Sequence, residues 1–181
     1  MSYTIRCAKV ADAQSIQSIY AFYTLETPIT FEVTPPSVSE IENRIIQIGN
    51  HYPWLVYEDH GEVLGYAYAC QHRTREAYRW SVDVAVYVRR GQFRAGIGRQ
   101  LYTKIFQILP RLGYANAFAG ITLPNDASVG LHEAMGFKRI GIYERVGYKM
   151  GSWYDVGWWQ LFFKHLSPPL EPLPFDPMRD F

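Results

Sequence analysis

Glycines and arginines gather where a strand gives way to a helix. Residues 84–88 are apolar and rich in β-branched side chains, which suits a buried strand. Beyond them Ile97, Leu101, Ile105, Ile108, Leu109 and Leu112 recur at helical spacing, with Leu112-Gly113 as the expected end of the helix. Gly96 and Gly98 fall at the start of that helix. The first amides of a helix have no partner within it, and the macrodipole there favours negative charge. Without a Cβ the backbone can be approached closely. Arg89, Arg90, Arg94 and Arg99 add fixed positive charge. Residues of these types in this order suit a pyrophosphate. The spacing is not that of a nucleotide-triphosphate loop, because no Gly-Lys-Ser/Thr follows, and the dinucleotide fingerprint is incomplete.

Two further side chains could move protons. Asp83 sits in the middle of the apolar run Ser81-Val82-Asp83-Val84-Ala85-Val86, where a carboxylate is costly unless it is paired or faces a cleft. His132 lies on a helix and titrates near neutral pH. Arg73 and Arg75 offer forks suited to a carboxylate, and Tyr78 and Phe31 lie in segments that could border a ligand. Glu32 could attract an ammonium group. His51, His60, His72 and His165 are too scattered for a metal site and read as surface or loop histidines.

The elements that must position these groups follow from periodicity and punctuation. Residues 4–9 alternate as a strand; Asp12 is placed to cap a helix bearing Ile16, Ile19, Tyr20 and Tyr23. Pro28 ends that helix, and a proline-bearing loop carries Phe31. Ser37 and Glu40 form a capping box before a second helix that ends at Gly49-Asn50. A hairpin turns at Asp59-His60-Gly61, between strands beginning at Trp54 and at Val63. Residues 80–88 and 117–123 are strands, a helix bearing Val129, Leu131 and Met135 stops at Gly136, and residues 137–143 and 153–163 are the last strands. The order is β-α-α-β-β-β-α-β-α-β-β, an α/β domain with a mixed, mostly antiparallel central sheet flanked by helices. Residues 1–166 form one domain, and 167–181 are a proline-rich tail expected to be extended, on a partner or loose.

The composition bounds the function. A chain of 181 residues with 48% hydrophobic residues can bury one full core. A net charge of +1 argues against general nucleic-acid binding. Cys7 and Cys70 form no metal or redox motif and read as reduced thiols of a cytoplasmic protein. No apolar run approaches the length of a membrane span, and the N-terminus carries no apolar signal region.

The strand, Gly96, Gly98, the downstream Asn125 and the helix ending in Gly136-Phe137 resemble the GNAT superfamily of acetyl-CoA-dependent N-acetyltransferases. Tyr52-Pro53-Trp54-Leu55-Val56, Ala77-Tyr78-Arg79-Trp80, Leu123-Pro124-Asn125-Asp126, Leu131-His132-Glu133-Ala134 and the run from Trp153 through Leu161 are similar to the phosphinothricin acetyltransferases. Thr30-Phe31-Glu32 is similar to the methionine sulfoximine and methionine sulfone group. The resemblance implies acetyl-CoA as co-substrate, no metal, a small amino acid as acceptor and a homodimer. It implies that the cofactor lies along Val86, Tyr87 and Val88, with its pyrophosphate over Arg94, Ala95, Gly96, Gly98 and Arg99 and with Asn125 nearby. It further implies Asp83 and His132 as the proton-transfer pair, with base and acid roles open between them; the related enzymes carry Glu where this chain has Asp83, so a bridging water is expected. Phe31, Glu32, Arg73, Arg75 and Tyr78 would hold the amino acid. Trp153, Tyr154 and Trp158 are expected in the core or a dimer interface. Phe93 stands where the family has Gln or Arg. Another amine as acceptor, or a CoA-binding sensor without catalysis, are the competing readings.

Overall fold

The structure, a computed structural model, describes residues 3–163 and 168–181. The expected domain boundary at 166/167 and His165 lie outside the described residues. The strands are β1 (Tyr3–Cys7), β2 (Trp54–Asp59), β3 (Glu62–Gln71), β4 (Ser81–Val88), β5 (Asn116–Leu123), β6 (Lys138–Lys149) and β7 (Ser152–Phe162). The helices are α1 (Ala13–Glu26), α2 (Val38–Gly49), α3 (Ile97–Ile108), α4 (Asp126–Ala134) and the short α5 (Pro177–Asp180). The strands form one sheet in the order β1-β2-β3-β4-β5-β7-β6. Each neighbouring pair is antiparallel except β4 and β5.

Each face of the sheet carries its own core. Val82, Val84, Ala117, Ala119 and Trp159 pack against the buried face of α3, where Leu101, Ile105, Ile108 and Leu109 are wholly inaccessible. On the other face α1 and α2 place Ile16, Ile19, Ile41 and Ile45 against Trp54, Val56 and Tyr66. Strand alternation therefore puts Asp83 and Phe118 on the α1/α2 face, opposite α3 and α4.

Several local expectations are corrected. Asp12 does not cap α1; its carboxylate accepts the Lys9 amide at 2.7 Å and a fork from Arg6, closing a 3-10 turn (Val10–Asp12) ahead of the helix. Helix α3 stops before Leu112-Gly113 because Pro110 has no N–H to continue the ladder. Strand β6 runs past Tyr143 to Lys149 through a bulge at Arg145, whose amide reaches Asp155 at 2.7 Å. The tail is bound to this chain's own body. Leu173 N–H donates to Leu112 O, Phe175 N–H to His51 O, and the Phe175 ring is buried in the α3-side core. The Ser37–Glu40 capping box and the His60-Gly61 turn form as expected, the turn with φ of 50° and 81°.

Among the described residues no helix is long and apolar enough to cross a membrane, and no group of three His, Cys, Asp or Glu is arranged to hold a metal ion.

Candidate active site in a split sheet

Strands β4 and β5 are paired over three residues only, Ser81↔Asn116, Val82↔Ala117 and Asp83↔Phe118. Past Asp83 they diverge. The gap is an open cleft lined by Val84, Ala85, Val86 and Tyr87 from one strand and residues 119–122 from the other, with Tyr102, Asn125, Ser128 and His132 behind. Val88 N–H and O both bond the Tyr23 hydroxyl, at 3.2 and 2.6 Å, so they face away from β3. By alternation the polar groups of Val84 and Val86 face the same way; Val84 N–H is used in the Asp83↔Phe118 pairing, which leaves Val84 C=O and both groups of Val86 facing the split without a strand partner. Of the three residues expected to border the cofactor, Val86 thus presents its backbone to the cleft. Tyr87 lines the cleft, but its backbone pairs with Tyr66 of β3 and its ring packs on the Tyr66 ring. Val88 lies beyond the cleft lining, with its polar groups taken by Tyr23.

At the mouth of the split, Arg94 (φ 64°) and Gly96 (φ 79°) turn the chain into α3. The first bond of that helix runs from Gln100 N–H to Gly96 O, so the amides of residues 97–99 precede the ladder. Gly98 has a second reason to be bare: a Cβ there would lie 3.1 Å from Leu131 of α4 and 3.6 Å from Val86. The four arginines divide. Arg89 pairs with Glu62 and Arg90 with Glu26, whereas Arg94 and Arg99 are exposed and have no carboxylate partner among the described residues. Ala95 lies exposed between them, and Phe93 is half exposed with its ring 6.3 Å from that of Phe22.

His132, on the α3 side, is only 3% exposed. Its Nδ1 donates to Ser128 O at 2.8 Å, which leaves Nε2 to accept from the Tyr102 hydroxyl at 3.1 Å. Burial holds its titration below the ordinary histidine value, opposed by the Ser128 carbonyl. Asn125 caps α4 by accepting Ser128 N–H at 3.1 Å and borders the cleft.

Asp83 faces the other side. Its Oδ1 lies 2.6 Å from His72 Nδ1. Burial pushes its carboxyl above the usual range, and the His72 bond only partly offsets this. His72, read from sequence as a surface or loop residue, is instead largely enclosed, its side chain 11% exposed and stacked on Phe118 at 4.3 Å. Tyr78 and Trp158 stand at its edges, and Arg73 lies over the Trp158 ring. Trp158 thus walls this face rather than filling the core. Arg75 is exposed, and Phe31 covers the backbone of Gly147, where a Cβ would overlap its ring. Glu32 is not a free carboxylate: Arg44 grips both its oxygens, at 2.8 and 3.1 Å, and Tyr20 donates to one of them.

A strand torn from its parallel neighbour, followed by a left-handed turn and a helix start, is matched in sequence as well. Residues 5–158 correspond to the Acetyltransferase (GNAT) domain. The chain belongs to the GNAT acetyltransferases. This GNAT acetyltransferase is 39% identical over 165 residues to a phosphinothricin N-acetyltransferase of Streptomyces viridochromogenes, covering 91% of this chain and 90% of the relative. It is 37% identical over 166 residues to an L-methionine sulfoximine/L-methionine sulfone acetyltransferase of Pseudomonas aeruginosa, covering 89% and 95%. Among solved structures, a phosphinothricin acetyltransferase from Sinorhizobium meliloti in complex with acetyl-CoA superposes with a TM-score of 0.89 at 36% identity, covering 96% of each chain. The GNAT acetyltransferase described here thus has named N-acetyltransferase relatives over most of its length.

Proposed function

We propose that the protein transfers the acetyl group of acetyl-CoA to the α-amino group of a small amino acid of the phosphinothricin, methionine sulfoximine or methionine sulfone type. The observation that carries this reading is the split sheet, which gives each substrate its own side. The free Val84 C=O and the free backbone of Val86 suit the amide-bearing arm of acetyl-CoA, and the amides of residues 96–99 with Arg94 and Arg99, which have no carboxylate partner among the described residues, suit its pyrophosphate. Bound there, acetyl-CoA supplies an activated thioester carbonyl, which the free Val86 N–H can polarise.

The amino acid comes from the Asp83 side. Arg73 and Arg75 are the candidates for its carboxylate, and Tyr78, Phe31 and Trp158 for its flanks. The Asp83 side supplies the basic group that takes a proton from the ammonium. His132, neutral and bonded to Tyr102, belongs to the thiol side, where the Tyr102 hydroxyl can turn from His132 Nε2 to protonate the departing sulfur and take a proton back from solvent as the thiol leaves. Glu32 orders the 28–36 loop through Arg44 rather than meeting the ammonium. Two features extend the reading. The apolar outer surface of the β6–β7 ribbon, with Ile140, Tyr143, Val146, Tyr148 and Trp153 at least half exposed, suits a homodimer. Cys7 and Cys70, both unpaired, suit a reducing cytoplasm.

The test is thiol release from acetyl-CoA across a panel of phosphinothricin, methionine sulfoximine, methionine sulfone, polyamines and peptides with free N-termini. The small amino acids should be preferred by at least about a hundredfold in kcat/KM, a difference of about 2.7 kcal/mol. Equal or better turnover of a polyamine or peptide overturns the substrate assignment, and no turnover of any amine favours a CoA sensor.

A further inference from the structure

The basic group on the amine side is a pair rather than a lone carboxylate, and the reading of that pair rests on the acetyl-transfer function proposed above. We infer that His72 Nε2 is the atom that takes the proton from the substrate ammonium, with Asp83 acting through it by fixing the ring. Asp83 is shorter than the Glu that the resembling enzymes carry here, which is why a bridge to the amine is expected. The structure puts an imidazole where that bridge is needed, 2.6 Å from Asp83 Oδ1. Two bare acceptors cannot sit that close, so one proton lies between them. With that proton on Nδ1, Nε2 carries a lone pair, and Nε2 has no hydrogen-bond partner among the described residues.

The ring is held for this task. Phe118 stacks beneath it at 4.3 Å and 15°, and Tyr78 and Trp158 close on its edges at 5.9 and 6.3 Å between ring centres. Both edge residues belong to the wall proposed for the amino acid. Arg73, the next residue in the chain, donates to His72 O at 3.0 Å, so the substrate's carboxylate partner and the proton acceptor are anchored to one another. The titratable or charged groups facing the ring are Asp83, its register partner Cys70, Arg73 and Tyr78. Among these groups Asp83 opposes the Arg73 charge and stabilises the imidazolium that forms.

The step balances. One proton passes from the ammonium nitrogen to His72 Nε2, and the freed lone pair attacks the thioester carbon. As the C–N bond forms and the C–S bond breaks, the nitrogen gives up its second proton and the leaving sulfur takes one, so one proton is released to solvent through His72 for each turnover.

Two variants separate proton transfer from positioning. His72→Phe keeps the stack on Phe118 and removes the base. His72→Asn keeps a donor close to the Nδ1 position, and so keeps Asp83 bonded, but cannot accept the proton. Both should lose about a hundredfold or more in kcat near neutral pH, with the KM for acetyl-CoA unchanged. The deficit should narrow as the pH rises and the amine arrives already deprotonated. Activity of His72→Asn within a few-fold of wild type, or a deficit independent of pH, overturns the proposal and leaves His72 as a support for Asp83. A second reading needs no substrate and therefore stands apart from the proposed function. Nitrogen-15 NMR of the free protein should show His72 protonated at Nδ1 and bare at Nε2, with a low-field Nδ1–H proton that is lost in Asp83→Asn. The opposite tautomer overturns the inference. Wild-type protein inert toward every amine, but with the expected tautomer, would count against the acetyl-transfer reading while keeping the pair.

Discussion

The two histidines on either side of the split sheet are both enclosed by aromatic rings, yet they are wired differently. His132 has each ring nitrogen engaged, by a carbonyl and a phenol, and no carboxylate among its hydrogen-bond partners. His72 has one nitrogen on a carboxylate and the other without a partner among the described residues. The first arrangement keeps an imidazole neutral and fixed; the second fixes the ring through one nitrogen and leaves the other open to a ligand. The same contrast runs through the surroundings. The α3 side is closed by Tyr102, Phe106 and Phe137, whereas the α1/α2 side opens onto exposed Arg73, Arg75 and Tyr78. A reaction that joins a thioester to an ammonium benefits from this division, since the sulfur is best kept dry and the ammonium must arrive wet and charged.

The largest effect expected from breaking the contrast is at Asp83. Asp83→Asn should lower kcat by about two to four orders of magnitude while leaving the KM for acetyl-CoA within about twofold; steady-state kinetics with both substrates varied would reveal it, and a rise in that KM alone would put Asp83 on the wrong side. A smaller effect is expected at the mouth of the split. Arg94→Ala and Arg99→Ala should each raise the KM for acetyl-CoA about five- to tenfold, about 1 kcal/mol for an exposed charge, and less at high salt. Arg89→Ala and Arg90→Ala, which remove arginines already paired with Glu62 and Glu26, should change it little. Gly98→Val is a blunter instrument, because the new side chain meets Leu131 as well as any ligand. The smallest effect concerns stability. His132 titrates below its ordinary 6.5 in the folded protein, so the unfolded chain binds the extra proton. Its contribution to stability is present above 6.5 and is lost as the pH falls below it. Denaturant melts of wild type and His132→Gln should therefore converge on going from about pH 7 to about pH 5; a gap that widens on acidification would mean that His132 is held charged.

Much of this was legible in the residues. Gly96, Gly98 and the apolar stripe of α3 announce a helix start that can face an anion, and the capping box at Ser37 and Glu40 forms as written. What escaped the sequence depends on contacts between distant segments. Asp12 looks like a cap until Arg6 folds across it. The bulge at Arg145 breaks the alternation that would have carried β6 past Tyr143. The prolines of the tail suggest a free segment, but Phe175 has a place in the core and Leu173 an acceptor at Leu112. His72 is the clearest case. Alternation from Cys70 puts it on the Asp83 face, but only the register that sets Cys70 opposite Asp83 brings the two side chains together. Nothing local to a polar loop could show that.

The central claim is that the split in the sheet separates the two substrates, and backbone hydrogen exchange tests it most directly. Adding acetyl-CoA alone should slow exchange at Val86 and residues 96–99, while adding methionine sulfone alone should slow the 72–78 segment and the loop around Phe31. Protection by acetyl-CoA confined to the 72–78 segment, or protection of residues 96–99 by the amino acid alone, would contradict the account.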